Sequence, residues 1–166
     1  MKLLIIRHAT AVERGAPGFA DDDRPLTPEG EKRFRKAAKG LARITPRPDV
    51  LFTSPLPRAR RTAEIAAQAW AGGVEPVTLE ALARGDMDGL AEALGSRGGE
   101  ENVAIVGHEP HVSAVLARLL GSAHESRLSF RKGGAALLDL PGGLGDGAQL
   151  IWFLPPKVLR ALADQG

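Results

Sequence analysis

Three short, uninterrupted apolar runs recur along the chain, at residues 3–6, 50–52 and 103–106. Runs of this length without polar alternation read as strands buried on both faces, as in a parallel sheet. Between them the period changes to that of helices. Thr27-Pro28-Glu29-Gly30-Glu31 is a helix start, with Thr27 as cap, Pro28 at the first helical position and acids in the first turn. The pattern predicts a helix to about Ile44, with Phe34, Ala37, Ala38 and Leu41 on its inner face and Pro46 and Pro48 beyond its end. Ser54-Pro55 opens a second predicted helix through Arg61, Ile65 and Ala69. Residues 74–83 look extended and irregular, 86–94 helical, and 110–120 helical again. Residues 135–140 and 150–153 read as a hairpin around a glycine-rich turn, and 155–163 as a terminal helix. Strands alternating with helices predict a three-layer α/β/α sandwich with a mainly parallel central sheet.

Composition adds bounds. A chain of 166 residues supports one domain, expected over 1–166, without an interdomain linker. With 43% apolar and 25% charged residues it reads as globular rather than disordered. It has no cysteine, which excludes disulfides, thiolate metal sites and thiol catalysis. The net charge of +2 comes from scattered arginines, so no nucleic-acid partner is expected. The apolar start is shorter than a signal peptide or a membrane span requires, and the expected setting is cytoplasmic, away from membranes.

Ligands in such sheets bind beyond the carboxyl ends of the strands. The first strand ends at Arg7-His8, the second leads to Ser54 and Arg58, and the third ends at Gly107-His108. Two arginines and two histidines thus arrive at one edge, beside helix N-termini that favour an anion. Arg presents paired donors to phosphoryl oxygens, and a neutral imidazole is a nucleophile for phosphorus. His8 is the candidate nucleophile; Arg7, Arg58 and His108 are candidate phosphate-binding and catalytic groups. His108 and His111 could suggest a metal pair, but no third ligand has a motif, so no metal and no other cofactor is expected. The glycines at 142–147 lack the Lys-Ser/Thr of a phosphate loop, and no Gly-x-Ser-x-Gly marks a serine hydrolase. Arg60 and Arg61 are expected to be solvated.

These residues also carry a resemblance. Arg7-His8-Ala9 resembles the Arg-His-Gly signature of the histidine phosphatase superfamily, which includes the phosphoglycerate mutases. Leu26-Thr27-Pro28-Glu29-Gly30 is similar to its Leu-Thr-x-x-Gly segment. Ser54-Pro55-Leu56-Pro57-Arg58-Ala59-Arg60-Arg61-Thr62-Ala63 is similar to its Ser-Pro-x-x-Arg-Ala-x-x-Thr-Ala segment. Val106-Gly107-His108-Glu109-Pro110 is similar to the segment with the second histidine. The short length, Gly133-Gly134-Ala135 and Trp152 resemble phosphohistidine phosphatases of the SixA type.

The resemblance implies a phosphoglycerate mutase-like fold, phosphorylation of His8, and a phosphoryl group held by Arg7, Arg58 and His108. It implies a phosphorylated protein as partner, a histidine-containing phosphotransfer protein among the candidates, in signal transduction. A small-molecule phosphate ester phosphatase or mutase of the same superfamily is the alternative enzyme, and a non-catalytic phosphate-binding module the alternative of another class. Two departures stand out: Ala9 replaces the signature glycine, and no segment matches the general-acid Glu of the mutase branch. Glu80, Asp86 and the run Asp21-Asp22-Asp23 are the candidates for that acid.

Overall fold

The computed structural model describes residues 1–165. In chain order its elements are β1 (Lys2–Arg7), α1 (Pro28–Ile44), β2 (Val50–Thr53), α2 (Pro57–Ala67), β3 (Pro76–Thr78), α3 (Ala81–Arg84) and α4 (Met87–Gly95). There follow β4 (Asn102–Gly107), α5 (His111–Leu119), β5 (Ala135–Asp139), β6 (Gln149–Leu154) and α6 (Pro156–Ala163). The six strands form one sheet in the order β3-β2-β4-β1-β5-β6. The four on the β3 side run parallel, β5 runs antiparallel to β1, and β6 runs antiparallel to β5.

Alternation along each strand divides the core between two faces. Leu4 and Ile6 of β1, with Ala104 and Val106 of β4, pack with α1, α2 and α6. Leu3 and Ile5, with Val103 and Ile105, pack with α3, α4 and α5. The result is the expected three-layer α/β/α arrangement with a mainly parallel sheet. Its apolar runs are continuous because both faces are covered.

Helix α1 follows its sequence signals closely. The Thr27 side chain accepts from Gly30 N–H at 2.9 Å, and Phe34, Ala37, Ala38 and Leu41 are buried. Glycines allow two close approaches on this helix. A Cβ on Gly30 would lie 2.1 Å from the Thr10 carbonyl oxygen, and one on Gly40 would lie 1.8 Å from that of Leu159 in α6. Gly30 thus seats α1 directly against the segment that follows His8.

Three expectations change. Helix α2 begins at Pro57, because Leu56, in extended backbone geometry, is the N-cap and Ser54 and Pro55 precede it. Residues 74–83 contain β3 and the single-turn α3; β3 is a three-residue, half-exposed edge strand and so leaves no apolar run. Arg61 is not simply solvated. Its Nε and Nη2 donate to the two Glu31 oxygens at 2.9 and 3.0 Å, and its Nη1 donates to Glu64 at 3.0 Å. That pairing joins α1 to α2 one turn after Arg58. Among the described residues no helix is long and apolar enough to cross a membrane.

Candidate active site

The strand order β2-β4-β1 fixes the site. Arg7 is in register with Gly107, His8 N–H donates to the Gly107 carbonyl at 3.0 Å, and Ser54 N–H donates to that of Val106 at 3.1 Å. Three neighbouring parallel strands therefore end level, and the next residues of each chain segment meet above them. His8, Ser54, Arg58 and His108 are all buried, and Arg7 is partly so. The His8 and His108 rings lie 5.1 Å apart between centroids, tilted by 53°.

His8 Nδ1 lies 2.7 Å from the Ala9 carbonyl oxygen. A carbonyl only accepts, so Nδ1 carries the proton and Nε2 keeps its lone pair. Burial pushes the His8 pKa down to about 4; the Ala9 bond opposes this, while Arg58, Arg7 and Lys132 add to it. The ring is neutral at pH 7 and able to attack an electrophile through Nε2. The His108 pKa falls to about 3, first through burial and then through His8, Arg58, His111 and Arg24.

Ala9 is 2% exposed and, among the described residues, only glycines adopt positive φ. The position after His8 therefore needs no glycine conformation. Ala9 N–H donates to Thr62 Oγ1 at 3.0 Å, and that hydroxyl donates to the Arg58 carbonyl at 2.7 Å. Thr62 thus ties the turn after His8 to the first turn of α2.

The arginines are held by backbone carbonyls. Arg7 Nη1 donates to Phe130 O at 2.6 Å; Phe130 N–H donates to Glu109 Oε1 at 2.6 Å. Arg58 Nη1 donates to Asp21 O at 2.9 Å, so the loop after β1 folds back over α2. Burial lowers the pKa of both guanidiniums, Glu109 opposing the effect at Arg7, and Asp21 and Asp22 opposing it at Arg58. Both remain cations, because arginine starts so high. Arg7 Nε, Arg58 Nε, His108 Nδ1 and His111 Nδ1 are buried without a protein partner, the first three on residues at or just past the strand ends. Buried polar atoms are nearly always paired, so three such nitrogens on residues converging at one sheet edge mark a place built for an oxyanion.

Sequence reasoning passed over Arg24, which is 8% exposed and lies in the polar loop. It donates through Nε to Asp21 and through Nη1 to Val12 O at 2.7 Å, and its charge reaches His108 and Arg58. Its partial burial carries no sequence signal inside an Asp-rich run.

Two of the candidate acids are engaged in contacts of their own. Asp86 Oδ1 accepts from Gly89 N–H at 2.9 Å as the cap of α4. Asp21 pairs with Arg14 and Arg24; slight desolvation raises its pKa, but the two arginines hold it below the ordinary value. Asp22, Asp23 and Glu80 are exposed. Glu109 accepts from Ser113 Oγ and Phe130 N–H, the arrangement of a carboxylate rather than of a proton donor. Among the described residues no three His, Cys, Asp or Glu side chains gather as a metal site would need.

Comparison with known proteins gives the family and the fold. The chain is 33% identical over 137 residues to an uncharacterised protein of Picosynechococcus sp., covering 81% of this chain and 82% of that one. Its fold is similar to a structure provisionally named phosphohistidine phosphatase SixA from Agrobacterium tumefaciens, at TM-score 0.77 and 27% identity, covering 93% and 97% of the two chains. It is similar also to the protein histidine phosphatase SixA complexed with tungstate, at TM-score 0.82 and 24% identity, covering 96% and 99%. Residues 3–93 match the Histidine phosphatase superfamily (branch 1). Strand-end histidines, converging arginines and these matches agree: the chain belongs to the histidine phosphatase superfamily.

Proposed function

We propose that the chain is a phosphohistidine phosphatase acting on a phosphorylated protein, with His8 as the nucleophile. The observation that carries this reading is the trio of unpartnered buried nitrogens, Arg7 Nε, Arg58 Nε and His108 Nδ1, grouped with a neutral imidazole whose Nε2 is free. His8 Nε2 attacks phosphorus, the P–N bond to the substrate imidazole breaks, and the phosphoryl group passes to His8. The guanidiniums and His108 stabilise charge on the phosphoryl oxygens, as oriented donors do for a developing oxyanion. Water then attacks phosphorus. The P–N bond to His8 breaks, His8 leaves as a neutral imidazole still protonated at Nδ1, and the phosphate carries away the water oxygen with its two protons as dihydrogen phosphate.

The leaving group supports phosphohistidine over an alkyl ester. An alkoxide needs a proton donor within reach, and Asp86, Asp21 and Glu109 are engaged as carboxylate acceptors. An imidazole protonated at its other nitrogen departs neutral without one. The test is kcat/KM for a phosphohistidine-containing phosphotransfer protein against a sugar phosphate and a phosphoserine peptide, with His8→Ala as control. The expected result is much faster turnover of phosphohistidine, an acid-labile, base-stable phosphoenzyme, and none of either in His8→Ala. Faster hydrolysis of the alkyl ester, lost in Glu80→Gln or Asp86→Asn, would assign the substrate class to the ester alternative.

A further inference from the structure

We infer that Ser54 is a positioning residue that sets the tautomer of His108, so that Nδ1 rather than Nε2 presents a proton to the phosphoryl oxygens. The inference rests on the reading of this site as a phosphoryl pocket and goes beyond it by naming which nitrogen acts and what fixes it.

His108 Nε2 lies 2.7 Å from Ser54 Oγ. Two arrangements fit that distance, since the hydroxyl both donates and accepts. The surroundings of Ser54 decide between them. Leu56 N–H, at the N-cap of α2, donates to Ser54 Oγ at 3.3 Å, so one oxygen lone pair is already used. Ser54 is 0% exposed. Its hydroxyl proton has no acceptor among the described residues apart from His108 Nε2.

If His108 donated from Nε2, the Ser54 hydroxyl proton would be buried without an acceptor. The bare Nδ1 lone pair would also be buried, facing the anion that the arginines attract. A buried polar group left unsatisfied is destabilising, and a lone pair turned toward an anion adds repulsion. If Ser54 donates to Nε2, only the Nδ1–H remains unpaired, and an oxyanion satisfies it. Position in the fold makes the arrangement rigid. Ser54 follows β2 and His108 follows β4, and these strands are paired from Val50–Val103 to Thr53–Val106. The Ser54 N–H bond to Val106 O extends that ladder to the base of the site.

Nitrogen-15 NMR of the full chain reads the tautomer directly, without substrate. Wild type should show His108 neutral and protonated at Nδ1 near pH 7. In Ser54→Ala, Nε2 loses its donor, and the spectrum should shift toward the Nε2–H form or a mixture. Ser54→Thr keeps the hydroxyl and should retain the wild-type signature. Kinetically, Ser54→Ala should lower kcat on a phosphohistidine protein by about ten- to a hundredfold, less than loss of an oxyanion donor outright, with a smaller change in KM. The double variant Ser54→Ala/His108→Gln should match His108→Gln alone, because the effect of Ser54 on turnover runs through His108, while loss of its bond to Leu56 N–H is read separately as a change in Tm common to Ser54→Ala and the double variant. A wild-type His108 protonated at Nε2, or losses that multiply in the double variant, would overturn the inference. Should Ser54→Ala not fold, the wild-type spectrum still decides. Normal turnover in His8→Ala would instead overturn the nucleophile assignment, a result that the NMR measurement keeps separate.

Discussion

Two neutral, buried histidines should make the fold sensitive to mild acid. In the unfolded chain each imidazole titrates near its ordinary value of about 6.5. In the fold the pKa of His8 is lowered to about 4 and that of His108 to about 3. Between the folded and unfolded values the unfolded chain binds more protons, so stability falls as pH falls through that window. The linkage is small at pH 7 and amounts to about 2 kcal/mol per histidine at pH 5, or about 3–4 kcal/mol for the pair on going from one to the other. That is a large part of the 5–15 kcal/mol by which domains are stable, roughly. Urea unfolding at pH 7 and pH 5 measures it, in wild type and in His8→Asn/His108→Asn. Contributions from Asp21, Glu31 and the other two histidines are common to both proteins and cancel in the difference. Wild type should lose about 3–4 kcal/mol more than the double variant over this interval. Equal losses in the two proteins would refute the claim that burial and the neighbouring arginines hold these rings neutral.

Arg58→Ala removes one guanidinium from the proposed phosphoryl pocket and should lower kcat by about two to three powers of ten; vanadate inhibition should weaken in parallel, and an unchanged vanadate affinity would contradict the placement. Activity should survive EDTA, since Arg7 and Arg58 supply the charge that a cation would otherwise bring; loss on chelation restored by a divalent ion would favour His108 and His111 as ligands. Gly40→Ala places a Cβ 1.8 Å from the Leu159 carbonyl oxygen and should destabilise the fold by about 1–3 kcal/mol through forced separation of α1 and α6, seen as a lower Tm.

The parts of the site that were legible in the sequence are those coupled to hydrophobic pattern. Arg7-His8 and Gly107-His108 follow uninterrupted apolar runs, so the strand-end rule locates them without any long-range information. Arg58 was locatable because it falls just past the second apolar run, after the helix-start signal Ser54-Pro55. What escaped depends on contacts with backbone carbonyls or on partners distant in sequence. The Arg58 bond to Asp21 O spans 37 positions and uses no property of the Asp21 side chain. The Arg7 bond to Phe130 O spans 123. Arg61 looked like any helix-surface charge until α1 brought Glu31 beside it. Ser54 has two roles, accepting from Leu56 and meeting His108, and only the first is local enough to be read from a Ser-Pro pair.

On the proposed reading, the engaged carboxylates and the fixed protons belong to one chemical logic. His8 has its Nδ1 proton committed to the Ala9 carbonyl, so it can give phosphorus a lone pair but cannot protonate a leaving group. On the proposed reading His108 has its one proton directed at the phosphoryl oxygens. The arginines remain charged and do not exchange protons at neutral pH. Such a pocket concentrates charge stabilisation on the transferred group and leaves the departing atom to its own chemistry. Substrates are then discriminated by leaving-group basicity. Phosphorylated imidazole, whose leaving atom departs neutral, sits at the favourable end. Adding a carboxylic acid near the substrate side of the pocket should narrow the gap between phosphohistidine and an alkyl ester, mainly by accelerating the ester.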